Sequence, residues 1–333
     1  MLDRSVMDVW RDKLLERWDV FQERWATWDA GPLLTVAVFL LVLVLAGLGW
    51  FWSREPVVLV LSPESSAKRG VVLSRALADV SAVLVDKPGG YLRNDLLPPG
   101  LLLDNMPAWE LGVLRQVRDL SRSLHRDMGL SHAAFVEDSD LAAAEEAFST
   151  PPDGWMFPAA ESGIGKGGEA VGRYVARLQR GEAVFQAREA YLLRWLADVD
   201  ASLGMLSTRL NAALPDPAVV SPVQGTPAEL AETSWWRIDD VFYEARGSAW
   251  ALLYLLKAVE VEFGPELTQR QALLSLRAAI HELEATQQTL WSPLVLNGSG
   301  FGLFANHSLV MANYLNRAQT DLSDVRALLT DTP

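Results

Sequence analysis

The chain has 333 residues, half of them hydrophobic, with thirteen Trp and no Cys. A real core can be buried, which excludes general disorder, and a disulfide framework or a Cys-ligated metal is excluded outright. The net charge of −13 makes the protein a poor binder of polyanions, so nucleic acid is not an expected partner.

Within residues 1–30, Trp10, Leu14, Trp18, Phe21, Trp25 and Trp28 step by four and three, with Arg11, Lys13, Arg17 and Arg24 elsewhere on the wheel. This pattern predicts an amphipathic helix lying on a membrane surface, because indole rings prefer the headgroup zone. Leu33 to Trp52 follows as an uncharged apolar run, and a helix of that length covers roughly 30 Å, the hydrocarbon core of a bilayer. Pro32 suits the helix start, while Trp50, Trp52 and Arg54 read as an interfacial anchor at the far end. No small-x-small cleavage site follows and there is no Cys to acylate, so residues 33–52 read as a single transmembrane helix rather than a signal peptide or a lipoprotein leader. Five Lys or Arg before the span against three shortly after it lean toward a cytoplasmic N-terminus and a periplasmic C-terminal domain in the bacterial inner membrane. Over equal windows of twenty residues that difference vanishes. Absence of Cys leans the same way.

Residues 53–61 read as an extended linker, since the β-branched run Val57 to Leu61 lies between Pro56 and Pro63. The rest reads as helical. Stripes at helical spacing run through Leu73, Leu77, Val80, Leu84, through Val113, Val117, Leu120, Leu124 and through Leu192 to Ala213. Others run through Leu273 to Leu290 and Met311 to Leu329, and Ile238 to Phe263 has a broader apolar face that suits the centre of a bundle. Asp86 to Pro107, rich in Pro and Leu, reads as an ordered loop, and Pro151 to Pro158 as a second loop. Gly163, Gly165 and Gly168 spell G-x-G-x-x-G, but Pro158 and Glu161 precede them where a dinucleotide site needs a strand. That stretch is expected to be a flexible loop before a helix. The predicted fold class is all-α, an N-terminal transmembrane helix followed by an antiparallel helical bundle. Its parts are expected at 62–214 and 233–330, joined by a Pro-rich linker at 215–232.

Several longer motifs carry a resemblance. They are Gly49-Trp50-Phe51-Trp52-Ser53-Arg54-Glu55-Pro56, Asp86-Lys87-Pro88-Gly89-Gly90-Tyr91-Leu92 and Asp104-Asn105-Met106-Pro107-Ala108-Trp109-Glu110. Ile238 to Gly247 and Trp291 to Gly302 complete them. With these motifs the chain resembles a bacterial family of single-span proteins known as domain of unknown function 2333. The resemblance implies architecture and topology, and brings no activity, cofactor or catalytic residue.

Chemical motifs are sparse. No Glu-x-x-His precedes any of the four His residues, so a di-iron bundle is excluded, and no zinc-ligand spacing exists; no cofactor or metal is expected. Two constellations remain as a candidate binding or active-site surface. One is Asp239, Asp240, Tyr243, Glu244 and Arg246, whose carboxylates also suit a helix N-terminus. The other is Asn297, Gly298, Ser299, Gly300, Asn306 and His307, a glycine loop able to bring backbone amides close to a polar group. The expected function is a membrane-anchored periplasmic interaction or assembly module of the bacterial cell envelope, with the lipid bilayer and another envelope protein as partners. The alternative is a membrane-anchored hydrolase of an envelope component, with Asp239 or Glu244 as acid or base, His307 as partner and the 298–302 amides as an oxyanion hole.

Overall fold

The computed structural model describes residues 31–61, 68–130, 137–212, 238–288 and 307–330. The surface helix expected at 1–30, the linker expected at 215–232 and the loop residues Asn297, Gly298, Ser299, Gly300 and Asn306 lie outside these. Among the described residues the protein is all helical, with no strand.

Helix α1 is Gly31–Trp52, whose 22 residues are long and apolar enough to cross a membrane. Contacts divide the chain after Leu48, and Gly49–Pro333 is one compact unit. That unit contains α2 (Val71–Asp86), α3 (Asn105–Ser123), a π-helical turn (Leu124–Met128), α4 (Ser139–Phe148) and α5 (Ala160–Arg180). It continues with α6 (Glu189–Ala212), α7 (Ile238–Glu262), the short α8 (Gly264–Gln269), α9 (Leu273–Ala285) and α10 (His307–Thr330).

The broad-faced helix does lie at the centre. In α7, Val241, Phe242, Ala245, Ala249, Trp250, Leu252, Leu253, Leu255, Leu256 and Val259 are all buried, and α7 packs on α2, α3, α6, α9 and α10. The α3–α7 contact is the most extensive in the bundle, followed by α6–α10 and α2–α5. Helices before residue 213 and after residue 237 thus interleave around one core, with α6 covered by α10.

Charged caps set two helix ends. Glu262, at the last residue of α7, accepts the Gly70 amide at 2.6 Å and also bonds the Val72 and Leu73 amides, which closes the N-terminus of α2. Burial pushes its carboxyl up, and those amides draw it part of the way back. At α4, the Asp138 side chain accepts from the amides of Asp140 and Leu141 and pairs with Arg177 of α5 at 2.5 Å.

The G-x-G-x-x-G stretch is a correction: Gly163 to Gly168 lie inside α5, not in a loop before a helix. The cause is tertiary. A Cβ at Gly163 would press on the Ala147 carbonyl and Thr150, and one at Gly167 on the Phe148 ring, so these two glycines, one turn apart, let α4 approach α5. Close packing outweighs the roughly 1 kcal/mol that each Gly costs a helix relative to Ala. Helix α9 is also shorter than its stripe suggests, ending at Ala285.

The tightest approach is between α3 and α7. A Cβ on Gly112 would overlap the Glu244 carbonyl oxygen, a Cβ on Gly247 would overlap the Trp109 carbonyl oxygen, and the Ser248 hydroxyl donates to the Gly112 carbonyl at 3.1 Å. Trp109 and Trp250 meet edge to face beside it, centroids 5.1 Å apart. Gly112→Ala or Gly247→Ala should therefore destabilise the protein by about 1–3 kcal/mol, as overpacking against backbone does. By contrast Gly172→Ala on the exposed side of α5, where a Cβ meets nothing within 4 Å, should stabilise by up to about 1 kcal/mol. Thermal melting of the three variants checks the opposite signs.

Candidate functional site

The polar groups of the sequence motifs gather around the α3–α7 crossing and divide into three clusters. The first joins the loop 87–104 to α3. Lys87 Nζ lies 2.6 Å from Glu110 Oε1 with both side chains essentially inaccessible, and it also donates to the Gly90 carbonyl at 2.5 Å. Glu110 accepts the amides of Leu92 and Arg93 at 2.9 Å each. Burial pushes the Glu110 carboxyl up, while the Lys87 ammonium and the two amides draw it down. As the Leu content suggests, this loop is ordered.

The second cluster holds Arg246. Its guanidinium is buried, grips both Glu55 oxygens at 2.8 Å, and donates to the carbonyls of Thr286 at 2.7 Å and Gln287 at 3.4 Å. A cation thus closes the C-terminal end of α9 and ties it to the segment that leaves α1. Tyr243 lies on this side, its hydroxyl pushed up by burial first and by the Glu55 charge second. Asp239, one turn earlier, is pushed up by burial and then by Asp104 and Asp240; Asp240 follows it, half-exposed.

Glu244 belongs to the third cluster. It is buried and ion-paired with Arg115 of α3 and, at 2.8 Å, with Arg209 of α6, so one carboxylate ties three helices. Beside it a groove of about 450 Å³ opens between α3 and α6, lined by Arg115, Arg118, Asp119, Arg122, Asp198 and Ser202. Arg118 is fixed in that wall by donating to the carbonyls of Phe148 and Thr150 at 2.7 and 2.6 Å. Burial pushes the Asp119 carboxyl up, and Arg122 at 3.0 Å counters it.

Of the candidate residues, Tyr243 and Arg246 thus share the Glu55 side, while Glu244 is directed to the groove side. His307 opens α10 and stacks edge to face on Phe242, centroids 6.4 Å apart. Sequence reasoning passed over Lys87, Glu110, Glu55, Arg115 and Arg209. For Glu110 a signal existed: it extends the stripe Val113, Val117, Leu120, Leu124 one step toward the N-terminus, a carboxylate on a buried face that needs a partner.

Removing one member of the buried pair tests the first cluster. Lys87→Met should cost about 3–5 kcal/mol by leaving Glu110 uncompensated. Glu110→Leu orphans two amides as well, each worth about 1–3 kcal/mol, so Lys87→Met with Glu110→Leu should stay clearly less stable than the parent. Denaturant melts of both singles and the double check this cycle.

A family model described as an uncharacterized protein conserved in bacteria, domain of unknown function 2333, matches residues 22–332. No curated protein and no solved structure matches the chain. The match runs through the apolar helix, all three polar clusters and the C-terminal helix, and by it the chain belongs to the bacterial family of domain of unknown function 2333.

Proposed function

We propose that the protein is a single-span anchor of the bacterial inner membrane, with its N-terminus cytoplasmic, whose helical bundle serves in the periplasm as an interaction or assembly module for another envelope protein. The observation that carries this reading is the way the end of α1 is built into the bundle. Gly49 has Pro99 and Leu103 as its neighbours, Trp52 covers Gly89, and Glu55 is held by Arg246. A leader removed after the apolar run would take Trp52 out of that packing, so a retained anchor fits better than a cleaved signal. Along α1 the large apolar side chains from Leu33 to Val44 are exposed, a surface that a water-soluble protein would have to cover. The five-to-three charge count supports the orientation.

The module reading is supported by how the polar side chains are used. Glu110, Glu244 and Arg246 are engaged in bracing helices and loops, and the α3–α6 groove beside them offers a ridge-lined surface of mixed charge in which a helix or peptide of a partner could lie.

Because the chain has no Cys, single-Cys variants report topology without background. Leu274→Cys, on the exposed side of α9, should react with a membrane-impermeant maleimide in spheroplasts with an intact inner membrane. Reaction only after lysis would overturn the orientation. A photo-crosslinking residue in place of Met205, at the groove, should give a discrete adduct with one envelope protein, and the same group in place of Leu274 should not. Equal adducts at both positions, or none at Met205, would rule out the groove as the interface.

A further inference from the structure

The bundle exposes two apolar loops, one of them where the end of α1 meets it. Leu96 to Leu103 is a run of eight residues without a charge, and Leu97 and Leu102 are 77% and 73% exposed. Gly154 to Ala160 is likewise uncharged, and its Trp155, Met156 and Phe157 are exposed, Phe157 completely. Short surface loops normally carry polar tips. Here polar residues flank the apolar tips and join the loops to each other. Tyr91 donates to the Pro152 carbonyl at 3.0 Å, Asn94 to the Gly154 carbonyl at 2.8 Å, and Arg93 pairs with Asp153 at 2.8 Å. The two apolar tips are thus tied to each other at their bases, and the Lys87–Glu110 pair holds the first of the loops to α3.

The depth of the first loop follows from α1. Pro99 and Leu103 are the neighbours of Gly49, which precedes Trp52 by about 4.5 Å of helix rise and so lies inside the apolar run. Trp50, with the Arg54 guanidinium 4.0 Å over its ring, marks the interfacial level. The Leu96–Leu103 loop thus reaches α1 at its last apolar turn, next to that level.

We infer that the Leu96–Leu103 loop and the Trp155–Phe157 tip form a second membrane contact, inserted into the headgroup and upper acyl region of the leaflet at which α1 ends. The inference rests on the reading of α1 as a span. Its occupant is the bilayer, not a partner protein or a second copy, because Pro99 and Leu103 of the first loop pack on Gly49 at the end of the apolar helix, and the second loop is bonded to the first. The contact would hold the bundle against the membrane in a fixed pose instead of letting it swing on the residues after Trp52.

Depth-dependent quenching tests this in the full chain, reconstituted in phosphatidylethanolamine and phosphatidylglycerol vesicles. Leu97→Cys, Leu102→Cys and Phe157→Cys are each labelled with an environment-sensitive fluorophore, with Leu41→Cys as the span control and Leu274→Cys as the solvent control. The three loop labels should emit to the blue of the Leu274 label and lose most of their emission to lipids carrying a doxyl group just below the headgroup. The Leu41 label should respond best to a doxyl group near the acyl end. Loop labels that behave like the Leu274 label while the Leu41 label is quenched would overturn the second contact and leave the span standing. If the Leu41 label is also unquenched, the span reading itself falls and the inference with it. Blue-shifted loop labels without lipid quenching would mean burial against protein, and would equally overturn the inference.

Discussion

The architecture depends on the backbone-to-backbone crossing of α3 and α7 at Gly112 and Gly247. Where two helices approach this closely, neither has room for a side chain between them, and residues just beside the crossing are wholly or partly withdrawn from water. Glu110 and Arg115 flank Gly112, and Glu244 and Arg246 flank Gly247. Charged groups in such positions must find partners or cost several kcal/mol apiece. Each finds them in a different direction: Glu110 in the loop that follows α2, Glu244 in Arg115 and Arg209, Arg246 in Glu55 and the end of α9. The crossing thus dictates where three other parts of the chain dock.

Two of those three parts are the ones that meet the end of the apolar helix. Glu55 lies just after Trp52, and the loop from Lys87 onward carries Gly89 under the Trp52 ring. Of the polar residues that read as a candidate site from their spacing, Arg246 braces the central helix to Glu55 beyond Trp52, and Glu244 braces it to Arg115 and Arg209.

What was legible in the sequence was whatever a single periodicity determines. The stripes from Leu73, Val113, Leu192, Ile238, Leu273 and Met311 each became a helix, and the extra width of the Ile238 face placed α7 at the centre. No stripe marks α4, and the glycines of α5 read as a loop before a helix, for a physical reason. The short α4 buries only Leu141, Ala144 and Phe148, and the buried face of α5 includes Gly163 and Gly167, so the apolar signal is weakest where the two helices pack closest. Propensity argued for a loop there, and packing prevailed. Arg246 was noticed as a charged residue, but not as one lying in the buried line Phe242, Ala249, Leu253, Leu256; only the fold shows that Glu55, far away in sequence, answers it.

The central claim is that the parts of the chain that meet the end of α1, Glu55 and the loop that follows α2, are locked to the bundle core by buried polar pairs. Hydrogen exchange of the full chain in a lipid bilayer measures it most directly, because the Leu92 and Arg93 amides that bond Glu110 are opened only if the loop detaches. If the account is right, these two amides exchange as slowly as those in the middle of α7. Exchange at the rate of an unstructured peptide, with α7 still protected, would contradict it.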